Sequence, residues 1–186
     1  MIVDIINSVK KYEVIYTDPP WEQKKGGKKN ARPKSSGMEL DYQTMTLNEI
    51  KDFHASVLTN NVQDKHNLFM WTIDKYLPET ETMMKDLGYE LHARIIWDKV
   101  TGIPAAFTLR YAHEYLLWFY KKGKLLKPCD EMRGKYTDVI REKVVKHSKK
   151  PECAYKMLED MFPEAKKIEL FARGKRIGWD CWGNEV

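Results

Sequence analysis

The apolar run Tyr12-Glu13-Val14-Ile15-Tyr16-Thr17 stops at Asp18-Pro19-Pro20-Trp21. A run of this length, rich in aromatic and β-branched residues, reads as a buried strand. Two successive prolines fix φ near −65° and hold the preceding Asp18 extended. The strand therefore leaves its sheet at Asp18, and in open α/β sheets ligands bind outside the carboxyl ends of the strands. The expectation is a rigid rim with one carboxylate, proline carbonyls free to accept hydrogen bonds from outside, and the flat face of Trp21. A surface turn after a strand would have the same composition.

Such a rim suits a planar ring bearing an exocyclic –NH2. Asp18 and the Pro19 carbonyl would accept the two amine hydrogens while Trp21 stacks on the ring. The amine lone pair of adenine or cytosine is delocalised, so the amine is a poor nucleophile. Acceptors on both hydrogens favour the pyramidal form, whose lone pair points toward an electrophile. This combines positioning with preorganised electrostatic stabilisation.

Beyond Trp21, residues 22–41 show no periodicity and carry Lys24, Lys25, Lys28, Lys29, Arg32 and Lys34 around Gly26-Gly27. Uncovered segments of this length are functional lids or solvated, disordered pieces. Thr46-Leu47-Asn48-Glu49 is a capping-box pattern, and Leu47, Ile50, Phe53, Val57 and Leu58 continue it as an amphipathic helix to about Asn60. Strands are expected at Asn67–Ile73, Leu91–Trp97, Tyr115–Tyr120 and Lys167–Phe171. Helices are expected at Pro78–Leu87, stopped by Gly88, and at Ser148–Met161, with Pro151 in its first turn. Residues 128–147 give no assignable pattern.

Strands alternating with helices argue an α/β sheet with helices on both faces. The absence of linker or repeat makes residues 1–186 a single expected domain. No Gly-x-Gly-x-x-Gly follows the first strand, so the ordinary dinucleotide fingerprint is missing. A net charge of +5 leans modestly toward a polyanionic partner. There is no apolar run of membrane-spanning length and no signal-peptide pattern at Met1-Ile2-Val3-Asp4. Cys129, Cys153 and Cys181 form neither a disulfide framework nor a zinc set, so no metal is expected and a reducing cytoplasm is the expected setting.

Asp18-Pro19-Pro20-Trp21 resembles the signature of the MT-A (70-kDa subunit) family of adenine-N6 methyltransferases. The likeness continues through Asp41-Tyr42-x-x-Met45-x-x-x-Glu49-Ile50, Leu68-Phe69-Met70-Trp71-Thr72, Ile96-Trp97-Asp98-Lys99 and His113-Glu114-Tyr115-Leu116-Leu117. It runs on through Lys150-Pro151-Glu152, Lys167-Ile168-Glu169-Leu170-Phe171-Ala172-Arg173 and Gly178-Trp179-Asp180-Cys181-Trp182-Gly183-Asn184-Glu185. It covers nearly the whole chain in order. The resemblance implies a Rossmann-like S-adenosylmethionine-dependent methyltransferase fold in permuted motif order, three-layered, with helices on both faces of a mixed sheet. It also suggests a compact member like those of phage and bacteria.

By this resemblance Asp18, Pro19, Pro20 and Trp21 form the catalytic rim, and Asp18 also touches the cofactor. Lys150 is placed at the methionine carboxylate of S-adenosylmethionine, with Lys149 an equal candidate from the sequence. Glu169, Arg173, Asn184 and Glu185 are assigned to the cofactor, and so are Asp4 and Ile5, although their spacing to Asp18 is short. Gly174-Lys175-Arg176 departs from the family pattern, and no role is carried onto it. His113-Glu114 is read as structural, Trp71, Trp97, Trp118, Trp179 and Trp182 as core, and Tyr42 as either a base neighbour or ordinary packing. Lys24, Lys25, Lys28, Lys29, Arg32 and Lys34 follow the rim directly, where nucleic acid must enter.

The function this implies is methylation of the N6 amine of adenine in nucleic acid, with S-adenosylmethionine as cofactor. DNA is preferred to RNA because the chain is compact. Expected partners are nucleic acid and no membrane, with a homodimer as the self-association considered. The alternatives are an RNA adenine methyltransferase, a non-catalytic subunit of a methyltransferase complex, and a cytosine or small-molecule amine methyltransferase.

Overall fold

The computed structural model describes residues 1–22, 43–100, 111–145, 149–184 and 186. Its centre is β1 (Tyr12–Thr17), whose Val14, Ile15, Tyr16 and Thr17 are all fully buried. A strand apolar on both faces belongs in the middle of a parallel sheet covered on both sides. β1 pairs in parallel with β2 (Val62–Thr72) and with β6 (Lys167–Leu170). Outward from β2 lie β4 (His113–Tyr120), β3 (Glu90–Asp98) and β5 (Val139–Arg141); outward from β6 lies β7 (Trp179–Trp182). The order across the seven strands is β5-β3-β4-β2-β1-β6-β7.

Among the described strands only β4 runs against the others, pairing antiparallel with both β2 and β3. This reversal brings the amino end of β4, His113-Glu114, to the edge where the other strands end.

Among the described residues, three α-helices cover the two faces. α1 (Leu47–Asn60) and α2 (Leu77–Asp86) bury Ile50, Val57, Leu58, Met83 and Met84 against Ile15, Leu68, Met70, Leu117 and Phe119. α3 (Glu152–Met161) buries Ala154, Met157, Leu158 and Met161 against Val14, Tyr16, Phe69, Trp71, Trp97 and Trp118. Each fully buried side chain of this size contributes about 1.5–3 kcal/mol. This is a mixed α/β sheet with helices on both faces, the expected Rossmann-like architecture. Among the described residues no helix is long and apolar enough to cross a membrane.

Both hydrogen bonds of the expected capping box form. Thr46 N–H donates to Glu49 Oε2 at 2.7 Å, and Glu49 N–H donates to Thr46 Oγ1 at 3.3 Å. Other boundaries differ for identifiable reasons. β2 begins at Val62 rather than Asn67, because its pairing with β1 jumps from Tyr12↔Val62 to Val14↔Asn67 and bulges out the polar residues between. α3 begins at Glu152 rather than Ser148, because Pro151 is its N-cap with φ −70° and ψ 143°. β5 and β7 are short, and both went unexpected. The first residues extend the β7 edge, where Val3 N–H donates to the Cys181 carbonyl at 2.9 Å.

Candidate active site

Asp18 emerges from β1 between Thr17, paired with Met70 and Leu170, and the two prolines. Thr17 is held from behind: its Oγ1 lies 3.1 Å from His54 Nε2, and His54 Nδ1 lies 2.7 Å from the Ile50 carbonyl. A carbonyl only accepts, so Nδ1 carries the proton and Nε2 accepts from Thr17. Burial lowers the His54 pKa to about 4, which keeps the ring neutral.

The rim is more internally engaged than expected. Trp21 N–H donates to the Pro19 carbonyl at 2.8 Å and Met45 N–H to the Pro20 carbonyl at 2.9 Å. The proline carbonyls are therefore not free, although each oxygen keeps a second lone pair. Nor is Trp21 an open face. It is only 6% exposed, its indole N–H donates to the Trp71 carbonyl at 3.1 Å, and its ring stacks on Tyr76 at 5.1 Å. The Tyr76 hydroxyl donates to the Glu22 carbonyl, clamping the rim from the β2–α2 connection.

At this edge a buried chain of alternating charges converges. Lys150 Nζ lies 3.0 Å from Asp18 Oδ1 and 2.8 Å from Glu114 Oε2, and Lys99 Nζ lies 2.6 Å from Glu114 Oε1. Burial raises the Asp18 pKa, the Glu114 charge adds to the rise, and Lys150 and Arg173 only partly oppose it. Burial also pulls Glu114 upward, but the ammoniums of Lys150 and Lys99 outweigh it, and its pKa falls. For Lys150 burial works downward and is overcome by Asp18 and Glu114, so the pKa rises and the amine stays charged. Lys150 is thus the lysine of the pair that enters the site. Lys149 points outward to Glu152 at 3.4 Å.

A lysine just before a helix N-terminus faces an unfavourable dipole. Here Glu142 takes that end, accepting from Glu152 N–H at 2.9 Å and Cys153 N–H at 2.8 Å. Glu142 thereby anchors the turn from which Lys150 reaches in.

Next to the rim, β6 ends in a tight corner. Phe171 sits at φ 58°, a conformation costly for a side chain of its size. Ala172 N–H donates to the Trp182 carbonyl at 2.9 Å, and a Cβ on Gly183 would lie 2.4 Å from the Ala172 oxygen. Residues 171–173 and 183–184 therefore run side by side, which brings Arg173 and the exposed Asn184 to one corner.

Not every expected ligand residue joins this group. Glu169 faces α3, accepting from the Tyr155 hydroxyl at 2.8 Å, and burial pushes its pKa up to about 7. Asp4 accepts from Asn7 of its own turn at 2.8 Å, and the Ile5 side chain is fully buried in the core. Tyr42, Glu185 and the basic residues Lys24, Lys25, Lys28, Lys29, Arg32 and Lys34 lie outside the described residues. In place of the family's usual residues after the arginine, Arg176 binds α3 through Glu159 at 2.6 Å and Glu152 at 2.7 Å. Trp71, Trp97, Trp118 and Trp179 are buried and Trp182 is partly so, as expected of core tryptophans. Glu114 and Lys99 were not expected in the site. Among the described residues no group of three or more His, Cys, Asp or Glu could hold a metal ion.

The described strands form a seven-stranded mixed sheet with helices on both faces, a Rossmann-like fold consistent with that of S-adenosylmethionine-dependent methyltransferases, with an ionic rim at the carboxyl edge of its central strand. The MT-A70 family model matches residues 12–185, and the chain belongs to that family. It is 32% identical over 192 residues to the Type II methyltransferase M.MunI of Mycoplasma sp, covering 95% of this chain and 78% of the relative. It is 29% identical over 185 residues to the human N(6)-adenosine-methyltransferase catalytic subunit METTL3, and 28% identical over 184 residues to a probable MT-A70-like N(6)-adenosine-methyltransferase of Oryza sativa subsp. japonica. Those two alignments cover 95% and 94% of this chain but only 28% and 23% of the relatives. The chain thus spans about a quarter of the length of the N(6)-adenosine-methyltransferases.

The family's cofactor is S-adenosylmethionine, and the donor set fits its zwitterionic methionine end. Lys150 has three protons, two of them directed at Asp18 and Glu114, which leaves one for a carboxylate. Asp18 is a ready acceptor for an ammonium.

Proposed function

We propose that this chain, acting as one methyltransferase domain over residues 1–186, methylates the N6 amine of adenine in nucleic acid. The observation that supports it best is the Lys150–Asp18 ion pair at 3.0 Å, which joins the rim to the turn that leads into α3. S-adenosylmethionine, when bound, supplies an electrophilic methyl group on its sulfonium centre. Asp18 accepts one amine hydrogen, and the second lone pair of the Pro19 carbonyl accepts the other. Pro20 and Trp21 act by holding that carbonyl and carboxylate in place. The raised pKa of Asp18 suits it to take the surplus proton. Lys150, itself held by Glu114, fixes Asp18 and meets the methionine carboxylate. Arg173, Asn184 and Glu185 would hold the nucleoside half, and the lysines and arginine of residues 24–34 would meet phosphates. An adenine inside a duplex cannot reach such a rim, so the target base is flipped out or already unpaired.

As to the polymer, relatives named N(6)-adenosine-methyltransferases carry a ribonucleoside in their names, which supports RNA over the DNA expected from compactness. A DNA reading is kept as second. The specific observation behind it is the Type II methyltransferase, which this chain covers over 78% of its length. Methylated-nucleoside analysis of matched RNA and DNA oligonucleotides, incubated with protein and S-adenosylmethionine, tests both.

A further inference from the structure

At the edge of the sheet opposite the rim, the segments from β4 to β6 carry lysines that the steps above leave unused. β1, β2 and β6 start at that edge and the antiparallel β4 ends there. Lys10 and Lys11 precede β1, Lys65 lies in the bulge of β2, Lys122 follows β4 and Lys166 precedes β6. Hydrogen bonds put these segments side by side. His66 N–H donates to the Lys124 carbonyl at 3.1 Å, the Asn61 side-chain amide to the Lys10 carbonyl at 3.2 Å, and Glu13 N–H to the Lys166 carbonyl at 2.9 Å. Three strand spacings of about 4.8 Å separate β4 from β6, so the strip is about 15 Å long.

The carboxylates along this strip are already engaged. Asp180 pairs with Lys10 at 2.9 Å and accepts from the Tyr12 hydroxyl at 2.9 Å, Asp64 pairs with Lys124, and Glu13 accepts from Lys166 N–H at 3.0 Å. Among the described residues Lys11, Lys65, Lys122 and Lys166 make no ion pair, and all four are exposed. The presentation is also fixed. His66 locks the β2 bulge, its Nδ1 lying 2.7 Å from the Gln63 carbonyl and its Nε2 2.6 Å from the Tyr89 hydroxyl, and Lys121 lies 5.2 Å above the same Tyr89 ring. Bulges of this kind re-aim side chains. Toward β6 and β7 the strip borders a cavity of about 450 Å³ lined by Lys10, Lys11, Lys166 and Lys167. Lysine is a point charge that meets phosphates without reading bases.

We propose that this strip is a second, sequence-independent phosphate-binding surface, occupied by single-stranded nucleic acid that continues past the adenine at the rim. The geometry selects the form of the polymer. The six residues of β1 set the two edges about 20 Å apart. A duplex with a persistence length of about 500 Å does not turn round a domain of that depth, whereas a single strand does.

The strip rests on the nucleic-acid reading above, and binding measured without turnover keeps the two separable. Fluorescence anisotropy gives the affinity for single strands of about 8 and about 40 nucleotides as salt is varied, the shorter being near the footprint of one binding face. One variant carries Lys11→Gln, Lys65→Gln, Lys122→Gln and Lys166→Gln. A control carries Lys51→Gln, Lys85→Gln, Lys143→Gln and Lys156→Gln, which lowers the net charge equally. On the longer strand the strip variant should flatten the slope of log K against log salt by about 2 to 3, at about 0.7 per phosphate. The control should keep the parent's slope, and both variants should bind the shorter strand within about twofold of the parent. The parent should also prefer the longer strand to a duplex of equal length, and the strip variant should lose that preference. An unchanged slope overturns the strip, as does an equal loss in the control, which would reduce the effect to net charge. Phosphatidylserine vesicles bound by the parent and released by the strip variant, with oligonucleotide affinity unmoved, would assign the strip to a membrane surface instead. A flattened slope in a protein that methylates nothing would leave the strip standing and remove the adenine reading.

Discussion

The ammonium of Lys150 lies 3.0 Å from Asp18 and 2.8 Å from Glu114, so one buried cation joins the first motif of the chain to the turn before its last helix. Three distant segments meet there because β1, β4 and α3 converge on one sheet edge. The pairing has consequences for each partner.

Asp18→Ala removes the rim's only carboxylate and leaves Lys150 still paired with Glu114. The variant should fold, and methyl transfer should fall on the order of 100- to 1000-fold, as for loss of one preorganised transition-state contact. Rates within tenfold of the parent in a radiolabelled-methyl assay would remove Asp18 from the mechanism.

Lys150→Ala leaves Asp18 facing Glu114 without the shared cation, while Lys99 stays paired with Glu114 at 2.6 Å. Breaking a buried pair in this way costs about 3–5 kcal/mol, and S-adenosylmethionine affinity should drop roughly ten- to a hundredfold. Lys149→Ala, which loses only an exposed contact to Glu152, should leave both unchanged. Calorimetry and urea unfolding of the two variants side by side decide it, and equal effects would contradict the assignment.

Stability should respond to pH through a buried and a partly buried group of opposite sign. The His54 pKa is lowered by burial to about 4 from 6.5, so its contribution is full above about 6.5 and is lost as pH falls toward 4. The Glu169 pKa is raised by burial to about 7 from 4.5, so its contribution is full below about 4.5 and is lost as pH rises toward 7. His54→Gln should flatten the acid side of a urea-stability profile, and Glu169→Gln the neutral side, each by on the order of 1–3 kcal/mol. Parallel profiles for parent and variants would contradict both.

Gly183→Ala tests the corner beside Arg173. The new methyl group would lie 2.4 Å from the Ala172 oxygen and 2.7 Å from the Ala172 nitrogen, both of them backbone atoms that cannot swing away. A loss of about 1–3 kcal/mol is expected, as for overpacking, with weakened cofactor binding because the 171–173 turn must shift. A variant with unchanged thermal midpoint and cofactor affinity would show that the contact is relaxed at no cost.

Much of this arrangement was legible before the structure. Tyr12–Thr17 is rich in aromatic and β-branched residues, and the Thr46–Glu49 box is a local signal, so β1 and α1 could be read directly. Asp18 was legible as the carboxylate that ends the first strand before two prolines, and Lys150 followed from the resemblance. Glu114, and with it the Lys99 contact, did not, because the place of Glu114 depends on β4 running against its neighbours, and a continuous apolar run carries no direction. β5 and β7 are too short to establish a period, and at β5 a polar stretch hides it. The internal hydrogen bonds of Pro19, Pro20 and Trp21 also escaped the reading. Met45 and Trp71 supply partners from segments whose proximity only the folded sheet creates.

The most direct test incubates purified protein with S-adenosylmethionine and matched adenine-containing RNA and DNA, then digests both to nucleosides for mass spectrometry. N6-methylated adenine nucleoside should accumulate with the parent, in RNA ahead of DNA, and should be absent with Asp18→Ala. No N6-methylated product in either polymer, or equal product from Asp18→Ala, would contradict the account.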